Sequence, residues 1–126
     1  IKDCKAGDDG AAVDIGMGCT FTMNDGTISN CRADDDGGAV FVKQGGFFVM
    51  NSGTIENCSA CNNGGAVNIY ENGSFTMTGG TIKDCKVDLG GLGNAVYGKT
   101  IRRLLSFLEV RSRTVVYFHG LLMSSQ

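Results

Sequence analysis

Short alternating stretches of apolar and polar residues dominate most of this chain. Phe21 and Met23 flank Thr22, Phe75 and Met77 flank Thr76, and Val67 and Ile69 flank Asn68. An apolar residue at every second position marks a strand with one face in a core. Gly, Asn and Asp interrupt these stretches in "KQGG", "NSG" and "CNNGG", the residue types that let a backbone turn. "AVFV", "FFVM" and "TIENC" are three strand segments inside one repeating unit.

The unit recurs with a constant period. Cys4, Cys31, Cys58 and Cys85 follow one another at a period of 27, within "IKDC", "ISNC", "IENC" and "IKDC". "GTI" begins at Gly26, Gly53 and Gly80, and "FTMN", "FVMN" and "FTMT" begin at Phe21, Phe48 and Phe75. Val13, Val40 and Val67 keep the same register, while Val96 comes two residues late after a turn insertion in "VDLGGLG". Separate words sharing one period are the signature of a stacked repeat. Three strands and three turns make one coil, and equivalent residues of successive coils lie about 4.8 Å apart in parallel sheets. The expected fold is therefore all-β: a right-handed parallel β-helix, or solenoid, of about four coils. A leucine-rich repeat is excluded by its missing Leu/Asn pattern, and a propeller blade needs about 40 residues. Ile28, Phe48, Met50 and Ile55 should point inward and form one continuous core.

The pattern ends near residue 98, which sets two regions: a repeat domain at 1–98 and a capping or extension segment at 99–126. In the second region Ile101, Leu104, Leu105 and Leu108 have the spacing of one helical face, and "TVVYF" reads as a strand. A helix laid over the last coil would close an open solenoid end. Charge follows the same division. The net charge of −2 conceals 7 Lys/Arg against 12 Asp/Glu in residues 1–99, and 4 Arg against 1 Glu after them. An acidic body argues against nucleic acid as a partner. No apolar run approaches the length of a membrane-spanning helix. The chain opens inside a repeat word with no initiator Met, so we expect a piece of a longer protein.

"GGAV" followed by "FxxN" carries a family resemblance. Gly37-Gly38-Ala39-Val40 with Phe48-Val49-Met50-Asn51 is one copy, Gly64 to Val67 with Phe75 to Thr78 is a degenerate one, and Phe21 to Asn24 adds a third FxxN. The pair resembles the repeats of chlamydial polymorphic outer-membrane proteins, and more broadly β-helix adhesins. The resemblance covers roughly residues 1–98. It implies a cell-surface or secreted β-helix and little about chemistry, because such coils host adhesins, fibres and lyases alike.

Five sets of stacked residues are candidates for chemistry. Cys4, Cys31, Cys58 and Cys85 suit buried thiols better than disulfides, because parallel stacking holds Cβ atoms further apart than the roughly 3.8 Å a disulfide prefers. Cys19 falls at a turn, Cys61 completes a lone CxxC with Cys58, and composition leaves the redox state of all six cysteines open. His119 is remote from them, so a four-ligand zinc site is not expected. The acidic turns align Asp8 with Asp35 and Asn62, and Asp9 with Asp36 and Asn63. Calcium at Asp8, Asp9, Asp35 and Asp36 would need six to eight oxygens, and a solvated turn is the preferred reading. Thr27, Thr54 and Thr81 form one threonine column, but the neighbouring columns are mixed, which argues against an ice-binding face. Phe41 and Tyr97 fall on outward positions beside Asp14 and Asn68, where aromatic rings can stack on a sugar or a partner protein. Lys5, Arg32, Ser59 and Lys86 form a partly basic column.

No pair of carboxylates with a basic residue in a cleft is evident, so no catalytic, cofactor-binding or metal residue is assigned. The expected function is non-enzymatic: a cell-surface or secreted module for adhesion, or one that builds rods and filaments by self-association through coil ends. The alternative is a carbohydrate-binding or polysaccharide-degrading β-helix fragment. Expected partners are a host or environmental glycan or protein, and no cofactor is expected.

Overall fold

The computed structural model describes residues 1–98, 110–111, 115–118 and 121–124, with side chains for the first of these segments. The repeat winds into a parallel solenoid in which each strand pairs with its own equivalent one period away. Val13–Ile15, Val40–Val42, Val67–Ile69 and Val96–Gly98 lie side by side in a valine sheet. Thr20–Met23, Phe47–Met50 and Ser74–Met77 form a phenylalanine sheet. Thr27–Ser29, Thr54–Glu56 and Thr81–Lys83 form an isoleucine sheet, and a fourth joins Lys5–Ala6, Arg32–Ala33, Ser59–Ala60 and Lys86–Val87. The period supports about four units, and they make about three full turns, because residues 1–9 and 91–98 each supply only part of a coil. The late position of Val96 is absorbed as foreseen: it pairs with Val67 across the inserted turn.

Alternation places the core. Phe48, Met50 and Ile55 have no exposed surface and Ile28 almost none, as expected. The Phe21, Phe48 and Phe75 rings stack in a column, with centroids 5.4 and 4.9 Å apart. Identical side chains one period apart meet the same neighbours above and below, so one residue choice solves the packing of every coil. A single coil has no such neighbours, and ordering its backbone costs on the order of 1–2 kcal/mol per residue.

The two words behind the family resemblance have structural reasons of their own. Gly37 and Gly64 are left-handed, at φ 67° and 66°, a conformation that favours glycine. A Cβ on Gly38 would overlap the carbonyl oxygens of Gly65 and Ser59, which stack next to it in the solenoid. The Asn of FxxN makes a side-chain ladder on the outside: Asn51 Nδ2 donates to Asn24 Oδ1 at 2.9 Å, and Thr78 Oγ1 donates to Asn51 Oδ1 at 2.9 Å. Asp3, Asn30, Asn57 and Asp84 form a left-handed corner column just before each Cys, a conformation Asn and Asp tolerate better than other non-glycine residues.

Beyond residue 98 the described strands extend two sheets. Val110–Arg111 pairs in parallel with the Thr81–Lys83 strand, and Val115–Phe118 pairs in parallel with Val96–Gly98. Leu121–Ser124 then folds back antiparallel on Val115–Phe118. The strand read from "TVVYF" is present, whereas the helix expected at Ile101, Leu104, Leu105 and Leu108 lies outside the described residues, as does His119.

Candidate functional site: a groove on the valine sheet

The outward column of the valine sheet runs Asp14, Phe41, Asn68, Tyr97 in direct register. Alternation puts these side chains outside, but outside does not mean exposed. Phe41 is only 7% accessible and Asn68 only 4%, which corrects the expectation of Phe41 as an open surface aromatic. The glycine turns that precede each valine strand fold back close to the outer face. A Cβ on Gly10 would lie 3.0 Å from Phe41 Cβ. On the other side the Tyr70 ring contacts Phe41, at 6.4 Å between centroids and tilted by 44°. The result is a groove of about 360 Å³ with Phe41, Asn68 and Ile69 toward its floor, Tyr70 and Tyr97 among its walls, and the acidic turns along one side.

Those turns are bound to the next coil. Asp9 Oδ1 accepts the Asp36 N–H at 3.0 Å, Asp36 Oδ1 accepts the Asn63 N–H at 2.8 Å, and Asn63 Oδ1 accepts the Leu92 N–H at 2.9 Å. The column is therefore a ladder in which each Asx side chain satisfies a backbone donor one coil on. Asp9, Asp36 and Asn63 also line the groove. Burial pushes the Asp9 and Asp36 carboxyls above the ordinary range, and neighbouring carboxylates add to the effect against the bond from the backbone N–H. Asn68 Oδ1 is buried and has no hydrogen-bond partner. An acceptor left in that condition costs about 1–3 kcal/mol. Among the described residues, no Lys or Arg lines the groove.

The other candidate columns are in register but offer less. Asp8, Asp9 and Asp35 bring one carboxylate oxygen each within 4.8 Å of one another. Asn62 Nδ2 donates to Asp35 Oδ1, and Asp36 faces the groove. Three carboxylates supply only part of the six to eight oxygens of a calcium shell. In the partly basic column, Arg32 Nη1 reaches Asp88 at 2.6 Å and Ser59 Oγ at 3.2 Å, Arg32 Nη2 donates to Cys61 Sγ at 3.1 Å, and Lys86 lies 3.8 Å from Asp88. Asp88, from the turn insertion, neutralises much of the patch foreseen there. All six cysteines are free thiols. In the column Cys31, Cys58 and Cys85 donate to the carbonyls two residues back, at 3.3 Å each. Burial and the adjoining thiols push Cys31 up to about 11, and hydrogen bonding with Cys85 and burial push Cys58 further still. Thiols so far from ionising are inert packing groups.

Sequence reasoning had Phe41, Asn68 and Tyr97 in one column and Asp9 with Asp36 in another. It did not bring the two columns together, and it missed Tyr70. The signal for Tyr70 was present: Asn68, Ile69 and Tyr70 continue the out–in–out alternation. Comparison with family models, with curated proteins and with solved structures gives no match. The parallel repeat solenoid is thus established by its own geometry, and the likeness to outer-membrane adhesins rests on the GGAV and FxxN words alone.

Proposed function

We propose that this protein is a non-enzymatic β-helix module, displayed extracellularly, that recognises a partner through the valine-sheet groove. The observation that carries this reading is the convergence of two tyrosines, a covered phenylalanine and an unpartnered buried amide oxygen in one concavity on an otherwise regular solenoid. Pockets of this kind, with aromatic walls and a few placed polar groups, are the usual form of a binding site. The carboxylates beside it support binding over catalysis, since Asp9 and Asp36 are each committed to a backbone donor. Glycan and peptide arrays, probed with the protein and with Tyr70→Ala, test the reading, together with a reducing-end assay on any bound polysaccharide. Binding that the substitution abolishes, without turnover, is expected. Turnover, or binding indifferent to Tyr70, overturns it.

End-on association into rods is a second reading with its own observation. At the first edge Ile1 is 56% exposed, and Phe21, Met23 and Ile28 line a hollow of about 170 Å³. An apolar, unpaired strand edge favours a further coil, from a longer chain or from another copy. Sedimentation velocity decides for this chain: species that grow without limit as concentration rises fit head-to-tail stacking, which does not close, and a constant monomer ends the rod reading.

A further inference from the structure

We propose that the groove binds the cationic head group of a lysine or arginine side chain presented by a partner polypeptide. The inference rests on the groove being a recognition surface and names what it recognises. The groove's charged groups, Asp9 and Asp36, are both acidic, and the structure brings them to the same concavity as Asn63, Asn68 and the Phe41, Tyr70 and Tyr97 rings. Among the described residues no cation lines the groove, and Lys43, on the same valine-sheet face, is 3.1 Å from Asp14. An ammonium or guanidinium group offers a positive charge and several N–H donors, the complement of the two carboxylates. Aromatic faces within about 6 Å attract the same charge.

The acidic column adds an independent argument. Asn63 shows that a neutral amide can also make the ladder bond to the next coil. Asp9 and Asp36 make that same bond while carrying charges that burial and mutual repulsion oppose. A charged acceptor strengthens each ladder bond, and a cation in the groove would offset the burial and repulsion that oppose the two charges. A neutral sugar can donate hydroxyls to the same oxygens but leaves the two charges unneutralised. A calcium ion would prefer six to eight oxygens and has no use for the rings. At about 360 Å³ the space is near the lower end of ligand pockets, which suits one side chain.

Amide NMR titration of the full chain tests the assignment with capped Gly-Gly-Lys-Gly-Gly, its Arg and Gln counterparts, spermidine and a neutral disaccharide. The Lys and Arg peptides should shift the amides of Phe41, Asn68 and Tyr70, at least about tenfold more tightly than the Gln peptide. Added salt should weaken the binding. Asp9→Asn with Asp36→Asn, which keeps the ladder acceptors, should remove the preference for Lys and Arg while the rest of the spectrum is retained. Equal binding of the Gln peptide, or a preference that survives both substitutions, overturns the proposal. Spermidine held more tightly than the Lys peptide overturns the assignment to a polypeptide. Shifts in the groove with the disaccharide alone sink the cation and leave the recognition surface standing. An unmoved groove with every probe removes the cation assignment, and the arrays above then decide the broader reading on their own.

Discussion

The first complete coil, residues 10–36, and the middle coil, 37–63, are written in nearly the same words and differ in how well those words are used. Val13 and Phe21 are half-buried, whereas their counterparts Val40 and Phe48 are fully enclosed. The GGAV turn differs too. Gly38 donates its N–H to Gly64 O at 3.0 Å, and Gly65 donates to Gly93 O at 3.0 Å, but Ala11 makes no equivalent bond to Gly37. The first coil reads "GAAV" and carries a methyl group where the next two coils, at Gly38 and Gly65, have bare backbone. A coil with neighbours on both sides needs the second glycine for close approach; a coil near an edge tolerates its loss. In a solenoid, stability belongs to the contact between units more than to any unit.

The largest expected break in this comparison is in the phenylalanine column. Phe48 is sandwiched between Phe21 and Phe75. Phe48→Ala should cost about 3–5 kcal/mol, the range for a fully enclosed phenylalanine. Phe21→Ala removes a half-buried ring with one stacking partner and should cost about half as much. Denaturant unfolding of both variants measures the difference, and equal losses would show that the two coils are not distinct in energy.

A smaller effect sharpens the comparison at the acidic ladder, where the third rung is already neutral. Burial, and then repulsion from Asp35 and Asp9, raise the Asp36 carboxyl above its ordinary value of 3.8, against the lowering bond from Asn63 N–H. A raised folded-state value means that protons bind the folded form better. The contribution of Asp36 is then most favourable below the ordinary carboxylate range and is lost as pH rises through the raised value. Asp36→Asn keeps the acceptor and removes the charge. It should stabilise the protein near neutral pH by less than about 1 kcal/mol, given how much solvent still screens the site. The gain should vanish at about pH 3, where the wild-type carboxyl is protonated. Melting temperatures of the two proteins across this range check the sign: a gain that persists in acid would place its origin elsewhere than in the charge.

Much of the architecture was legible before any coordinates. Strand faces, the phenylalanine and isoleucine columns and the inserted turn before Val96 all follow from residues that repeat at one fixed period. Repetition makes a local rule serve as a global one, because a residue's neighbours in space are its own equivalents one period away. The groove was legible only in halves. Phe41, Asn68 and Tyr97 were recognisable as one column, and Asp9 and Asp36 as another, because each column obeys the period.

Period relates a position to its equivalents and is silent on the distance between two different columns around a coil. That distance depends on how sharply the glycine turn folds back over the valine sheet, a matter of backbone angles at Gly10, Gly37 and Gly64. Alternation likewise assigns a side of the sheet and not a degree of exposure, so it puts Phe41 and Asn68 outside without revealing that turn and tyrosine cover them. Stacking register, core and strand order were written into the chain by its repeats. The enclosure of an unpaired amide oxygen among carboxylates and aromatic rings came from the turn's curvature, which brings together side chains that share neither a strand nor a place in the period.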